Sequence, residues 1–376
     1  MIEIRPVSGR RLLKQFVKVP WSVYRDDPAW VPPLILERLM ALSPKEPIFE
    51  HLDWQGWIAC RGGVPVGRIS AQIDALHLKH NDPRQGFFGM IDGMDDADLF
   101  ASLANTAEEW LRKRGMTSVL GPLNLNINQE PGLLYDGYES PSSFLMGHAR
   151  PYYHPRLESA GYRSCRELLA YRLAPNYDEP AAIRRLRRRL GARLVLRNLN
   201  RADKAAELEV VRRIFNDGWS GNWGFVPFTE AEFAAIGNLL LFVVPKDFIL
   251  IAELDGEPAG FIVVLPNINE CIRDLNGRLF PIGWAKLLWR LKVRLPRTVR
   301  VPLMGVRKDL HDTVFGPGIA MTLIHGMNAP TLRHGVIAGE LSWILEDNAG
   351  MRSILERLGG TVTKRYRLYE KSLGGS

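Results

Sequence analysis

The sequence predicts an α/β (α+β) protein built by tandem duplication, each copy a mixed, mostly antiparallel sheet flanked by helices. Three observations carry this. Ile58-Ala-Cys-Arg-Gly-Gly-Val-Pro-Val-Gly-Arg-Ile69 and Ile251-Ala-Glu-Leu-Asp-Gly-Glu-Pro-Ala-Gly-Phe-Ile262 share Ile, Ala, Gly, Pro, Gly and Ile at the same internal spacing. Trp30-Val31-Pro32 matches Phe225-Val226-Pro227, and Leu157-Glu158 with Gly161 matches Leu355-Glu356 with Gly359. The blocks keep their order at offsets of 193, 195 and 198 residues, as two copies of one unit would. A chain of 376 residues also exceeds one ordinary core, so two domains are expected, 1–177 and 178–376.

The second copy is the easier to parse. Leu208, Val211 and Ile214 recur at helical spacing over Lys204 to Phe215. A loop rich in Gly, Trp and Pro follows, then a helix from Thr229, whose hydroxyl pairs with Glu232 as a capping box. Phe248 to Ala252 and Ala259 to Leu265 are apolar strands joined by Leu254-Asp-Gly-Glu, a hairpin turn. An amphipathic insert (Pro281 to Arg294), a strand (Val299 to Val306), a glycine loop and a helix (Ile319 to Asn328) come next. Strand Gly339 to Leu345, helix Asn348 to Leu358 and strand Val362 to Tyr369 complete the copy. In the first copy the hairpin is Trp57 to Asp74, the central helix Ala97 to Arg114 and the next strand Ser118 to Leu123. A polar insert, Asn124 to Arg150, precedes a short helix (Pro155 to Ala160), the last strand (Glu167 to Leu173) and a linker (Asn176 to Pro180).

Composition sets bounds. With 46% apolar and 24% charged residues the chain is of the globular class. It has no apolar run of spanning length, and its start lacks the pattern of a secretory signal. Three scattered cysteines give neither a disulfide framework nor a zinc site, so no metal and a reducing, cytoplasmic setting are expected. The net charge of +8 favours anionic partners. Arg184, Arg185, Arg187, Arg188, Arg189, Arg193, Arg197 and Arg201 run without an intervening acid, either as a solvated face or as a dock for anionic lipid or a carrier protein. Nucleic acid is not expected, since the run lacks interleaved aromatics. Hydrolase motifs (G-x-S-x-G, H-E-x-x-H, a Walker loop) are missing from the sequence.

The order of elements resembles that of GNAT acyltransferases. The resemblance implies that coenzyme A lies at the glycine loop, where unpaired N–H groups and the helix dipole favour phosphate. That loop is Val314-Phe-Gly316-Pro-Gly318-Ile-Ala320, after the strand ending at Val306. Thr313 stands where the family has Arg or Gln, and Arg307 and Lys308 are candidates for the missing charge. Glu340-Leu-Ser-Trp-Ile-Leu-Glu-Asp-Asn348 resembles the strand-to-helix step whose Asn contacts the cofactor arm. Leu355 replaces the family's usual tyrosine acid, leaving Tyr366 and Tyr369 as substitutes. The cofactor-binding candidates are therefore Val306, Arg307, Lys308, Gly316, Gly318 and Asn348. An attacking amine needs a base, and alternation places Glu340 and Glu346 on one strand face, with Glu340 first. In the first copy Asp92, Asp95 and Asp96 occupy the phosphate position, so that copy is expected to serve the acceptor side, with polar groups offered by the 124–150 loop.

In Gly283 to Arg294, Trp284, Leu287, Leu288 and Leu291 share a helical face with Lys286, Arg290, Lys292 and Arg294 on its flanks. Such a stripe suits either a membrane interface or a helix packed on its own domain. Gly132-Leu-Leu-Tyr-Asp-Gly-Tyr, Gly147-His-Ala-Arg-Pro-Tyr-Tyr, Asn222-Trp-Gly-Phe-Val-Pro and Leu265-Pro-Asn-Ile-Asn-Glu, together with the Glu340 to Asn348 stretch, resemble the YghO-like family. That family includes bacterial ceramide synthase. The resemblance implies N-acylation of a lipid-like amine, a 3-keto sphingoid base, by long-chain acyl-CoA, and the basic helix and arginine run add an expectation of peripheral contact with an anionic membrane. Acetyl transfer to a soluble amine and a non-catalytic lipid-binding relative remain open alternatives.

Overall fold

The computed structural model describes residues 1–374, apart from the side chains at 182, 183 and 186. Its principal strands are β1 (Ile2–Pro6), β2 (Leu52–Arg61), β3 (Val64–Asp74), β4 (Gln85–Gly93), β5 (Ser118–Gly121), β6 (Arg163–Leu173), β7 (Leu194–Asn198), β8 (Ile249–Leu254), β9 (Glu257–Pro266), β10 (Thr298–Val306), β11 (Ala338–Leu345) and β12 (Thr361–Ser372). The helices used below are α1 (Ala97–Arg112), α2 (Ala181–Leu190), α3 (Lys204–Trp219), α4 (Glu230–Val243), α5 (Gly283–Lys292), α6 (Phe315–Gly326) and α7 (Ala349–Arg357). Most lie within a few residues of their expected bounds.

Two compact units result. The first comprises Met1–Leu168, Ile272–Trp284 and Lys364–Ser376, and the second Leu169–Cys271 and Ala285–Thr363. Two short pieces of the sequence's second half thus group with the first unit. For the C-terminal piece the reason is pairing, since β12 runs antiparallel to β5 through Tyr369↔Gly121 to Ser372↔Ser118.

Each unit repeats one ladder. In the first, β1, β2, β3 and β4 pair antiparallel in succession, and β4 pairs parallel with β5. In the second, β7, β8, β9 and β10 pair antiparallel and β10 pairs parallel with β11. The repeated sequence block is the hairpin at the heart of each. Both turns put two central residues at positive φ, Gly62 (56°) and Gly63 (79°) in one, Asp255 (54°) and Gly256 (86°) in the other. Two-residue hairpins demand this because such a turn matches strand twist. Both hairpins also slip register by one residue at the same place, between Ala59 and Cys60 and between Ala252 and Glu253, opposite the shared Pro65 and Pro258.

The shared glycines follow from helix packing. A Cβ at Gly67 would lie 3.0 Å from Leu103 and 3.1 Å from the Asp92 carbonyl. One at Gly260 would lie 2.9 Å from Ile319 and 3.0 Å from the Gly305 carbonyl. Helix α1 buries Leu99, Leu103, Ala107 and Leu111 at that hairpin's side of the sheet, and α6 buries Ile319, Ala320, Leu323 and Ile324. Elsewhere the Thr229–Glu232 capping box forms in full, with Oγ1 accepting from the Glu232 N–H at 3.2 Å and the carboxylate from the Thr229 N–H at 3.0 Å. If the glycines share one packing role, Gly67→Ala and Gly260→Ala should each lower unfolding stability by about 1–3 kcal/mol. Urea titration measures this, and two unchanged midpoints would refute it.

Candidate active site

In the second unit β10 and β11 pair for only four residues, Thr298↔Ala338 through Val301↔Leu341. The next residue of β10 is Pro302, which has no N–H to give a ladder. At the same point the ladder to β9 slips, from Leu265↔Arg300 to Val263↔Leu303. Beyond it the two parallel strands part, and a cleft of about 620 Å³ opens between them. Met304, Val306, Leu341, Trp343 and Leu345 give it apolar walls.

Strand geometry fixes what the open edge of β10 offers. The Arg307 N–H donates to Ala259 on the β9 side at 2.9 Å, so alternation turns Met304 and Val306 to the other side. Their carbonyls confirm it. The Trp219 indole N–H donates to the Met304 carbonyl at 2.9 Å, and the His311 ring nitrogen Nε2 lies 2.8 Å from the Val306 carbonyl. A strand residue carries its N–H on the same side as its C=O, so the N–H groups of Met304 and Val306 also face the cleft edge.

Helix α3 holds this edge in place. A Cβ on Gly218 would meet the Val306 carbonyl oxygen at 2.3 Å, so only glycine lets the helix close on the strand. Next along the helix, Trp219 stacks on Phe215 at 5.1 Å and meets Trp343 of β11 edge-on at 5.5 Å. Across the cleft lies the start of α6. The Thr313 hydroxyl accepts the Phe315 N–H at 3.1 Å. Pro317 has no N–H and the Gly318 N–H is taken by the N-cap carbonyl of Val314, which leaves the Gly316 N–H as a first-turn donor without an intrahelical acceptor. Donors along one strand and at one helix start suit an extended, amide-bearing molecule with an anionic end.

Of the residues singled out from sequence, Val306, Gly316 and Asn348 line the cleft. Asn348 is the N-cap of α7 and accepts the Met351 N–H at 3.0 Å. Gly316 has a packing role as well, since a Cβ there would lie 2.5 Å from the Leu310 carbonyl. Gly318 is buried within α6 and does not line the cleft. Arg307 forks onto Asp309 at 3.0 and 2.8 Å, and that hydrogen bonding holds the Asp309 carboxyl below its ordinary value. Lys308 reaches the Ser220 hydroxyl at 3.1 Å. Both cations flank the loop rather than line the cleft.

Glu340 stands one step behind the wall. Ser342 is one of the residues lining the cleft, and its hydroxyl donates to Glu340 at 2.7 Å, while its oxygen accepts from Arg300 Nε at 2.9 Å. Arg300 is only 2% exposed, and the three side chains form one chain of hydrogen bonds. Glu346 is not a lining residue; its carbonyl accepts from Arg352 at 2.7 Å. Leu355 is wholly buried. Tyr366 and Tyr369 are buried within the first unit, where Tyr369 lies 2.5 Å from His154. Sequence reasoning passed over Trp219, His311 and Arg300. The dense Trp219 to Pro227 stretch was a visible signal for the first, whereas a lone His or Arg carries none.

The first unit has the equivalent strand parting but fills it with its own chain. There β4 and β5 pair over Gln85↔Ser118 to Phe87↔Leu120, and β4 slips register near Met90. The Met90 N–H donates to Asn124 at 2.7 Å, and a Cβ at Gly89 would lie 1.9 Å from the Leu123 carbonyl. Asp92 accepts from Arg68 at 2.8 Å and from the Tyr24 hydroxyl at 2.7 Å, with the Tyr153 hydroxyl at 3.3 Å. Burial, then the Asp92 charge, pushes both phenols well above their ordinary range, so they remain donors. Asp96 caps α1 and pairs with Arg61, and Asp95 pairs with Arg156. Several polar groups of the 124–150 loop also bond inward, Asn124 to Glu130, Asn126 to Asp74 and Tyr135 to Glu167.

If the Gly218 contact sets the cleft edge, Gly218→Ala should cost about 1–3 kcal/mol of stability and red-shift Trp219 emission as the indole leaves its carbonyl. Unaltered emission and an unaltered melting point would rule the contact out as a determinant.

No family model matches the chain. Protein YghO of Escherichia coli (strain K12) is 48% identical over 371 residues, covering 98% of this chain and 95% of that protein. The bacterial ceramide synthase of Caulobacter vibrioides (strain NA1000 / CB15N) is 44% identical over 375 residues, covering 99% and 98%. Among solved structures, a tandem GNAT protein from the clavulanic acid biosynthesis pathway superposes over 100% of both chains, with a TM-score of 0.60 at 14% identity. The fold is therefore GNAT, in tandem. At such identity over nearly full length, the chain belongs to the YghO-like family of GNAT-fold acyltransferases that includes bacterial ceramide synthase.

Proposed function

We propose that this enzyme transfers a long-chain acyl group from acyl-CoA to the primary amine of a sphingoid base, the 3-keto form first. One observation carries the reading: the parted strands β10 and β11 leave the Met304 and Val306 N–H groups facing an apolar cleft. Such donors suit an oxygen that gains negative charge as a thioester carbonyl is attacked. The 44% identity to a bacterial ceramide synthase supports the lipid amine.

In the reaction, the amine nitrogen bonds to the acyl carbon, the carbon–sulfur bond breaks, and the thiol leaves with a proton. The protein must therefore remove one proton from the amine. We assign this to Glu340, acting through the hydroxyl of the cleft-lining Ser342, which Arg300 fixes. Glu346 is second. The Gly316 N–H at the start of α6, with Arg307 and Lys308 beside the loop and Asn348 at the start of α7, would hold the phosphate-bearing arm of coenzyme A. The acceptor-side role of the first copy belongs to the same proposal, and its self-filled crevice supports that division. Peripheral contact with an anionic membrane at the cytoplasmic face, which the net charge of +8 favours, belongs to the same proposal.

The test is purified protein with palmitoyl-CoA or acetyl-CoA and 3-ketosphinganine or soluble amines, free thiol and product being followed by mass spectrometry. Long-chain transfer to the sphingoid amine is expected, and acetyl transfer to soluble amines alone would overturn the lipid reading. Glu340→Gln should lower kcat by roughly 10²-fold or more with KM little changed, and Asn348→Ala should raise KM for the donor. Full turnover by folded Glu340→Gln would remove Glu340 from the mechanism.

A further inference from the structure

Beyond the cleft, the second unit carries an unusual surface where α4 and α5 end together. Lys292 donates to the Phe242 carbonyl at 2.8 Å, and its ammonium lies 5.1 Å from the Phe242 ring centre. Around this contact, Leu239 is 63% exposed, Phe242 60%, Trp289 50% and Val293 71%. Leu239 and Phe242 are neighbours on one helix face, as are Leu288, Trp289, Lys292 and Val293 on the other helix and its end. The stripe expected from sequence has split. Leu291 turns into the core, while Leu288 and Trp289 face outward. The rim is basic, with exposed Lys246, Lys286, Lys292 and Arg294, and no acid lies between Gly283 and Arg294.

We infer that this surface inserts into an anionic lipid bilayer, with Phe242, Trp289 and Val293 below the headgroups and the four cations among the phosphates. An exposed apolar patch is costly in water and marks a partner. Its chemistry selects the partner: an indole and an aromatic ring among aliphatics, ringed by Lys and Arg, match the headgroup–acyl boundary. No helix among the described residues is long and apolar enough to cross a membrane, so this contact is peripheral. The inference deepens the lipid-substrate reading by naming where the second unit meets the substrate's own phase, and it assigns the contact to α4 and α5 rather than to the arginine-rich α2.

The experiment is sedimentation of the full-length protein with vesicles of phosphatidylcholine alone or with 30% phosphatidylglycerol, without any acyl donor or amine. The wild type should bind the anionic vesicles and shift Trp289 emission to the blue. Phe242→Ser with Trp289→Ser should weaken partitioning roughly tenfold or more, and Lys286→Glu with Arg294→Glu should do the same while leaving the melting point unchanged. Arg185→Glu with Arg188→Glu in α2 should leave it nearly unchanged. Equal binding by the wild type and both patch variants would overturn the inference. So would a wild type that ignores vesicles but forms a dimer that Phe242→Ser with Trp289→Ser dissolves, which would make the patch a self-association face. Because no turnover is read, failure of the acyl-transfer reading leaves this result interpretable. A vesicle-binding protein without transferase activity would retain this surface and lose only the substrate.

Discussion

Everything at the candidate site depends on where the parallel ladder between β10 and β11 stops. Four residue pairs hold the strands together, and Pro302 then has no N–H with which to continue. Once the ladder ends, β10 becomes a half-open edge whose polar groups need other partners, since an unpaired buried carbonyl or N–H is costly. The protein satisfies the carbonyls with side chains, an indole on Met304 and an imidazole on Val306. The N–H groups beside them are left facing the cleft. A sheet edge that would otherwise be a liability becomes a row of fixed donors.

The two copies show how one architecture serves different ends. Both carry the bulged hairpin with its two positive-φ turn residues, the glycine beneath a helix, and a parallel pair that parts after a few residues. In the second copy the parting is kept open, braced by Gly218 against Val306 and by the Trp219–Trp343 contact. In the first, the chain after β5 folds back into the gap, and Asp92 gathers Arg68, Tyr24 and Tyr153 beside it. A carboxylate buried with that many donors is a structural element, held by the desolvation that any missing partner would expose.

Charge is distributed with similar economy. Arg307 is committed to Asp309 and Arg193 to Asp255, so they are ion-paired on the surface. Arg300 is the exception, almost wholly buried and joined to Ser342 and Glu340. Burying a guanidinium is expensive unless its donors are filled, and here the filling connects it to the cleft wall. That linkage gives Glu340 a route to the cleft without being one of its lining residues.

The sequence by itself determined the repeat, the element order and the fold class, because hairpin turns, helix caps and hydrophobic spacing act over a few residues. Thr229 with Glu232, Asp255-Gly256 and Gly62-Gly63 are local devices and formed as local rules require. It also marked Val306, Gly316 and Asn348, which lie where strand or loop meets helix. What only the tertiary structure decided is which groups share a cavity. Gly318 matched a motif but is consumed by packing, and Trp219 and His311 matter because a parted strand 85 residues away from one and five from the other needed hydrogen-bond donors. Which leucine of α5 turns inward, and which stays in water, was likewise set by the neighbours each helix face met. Periodicity places residues on faces; only long-range packing says what each face touches.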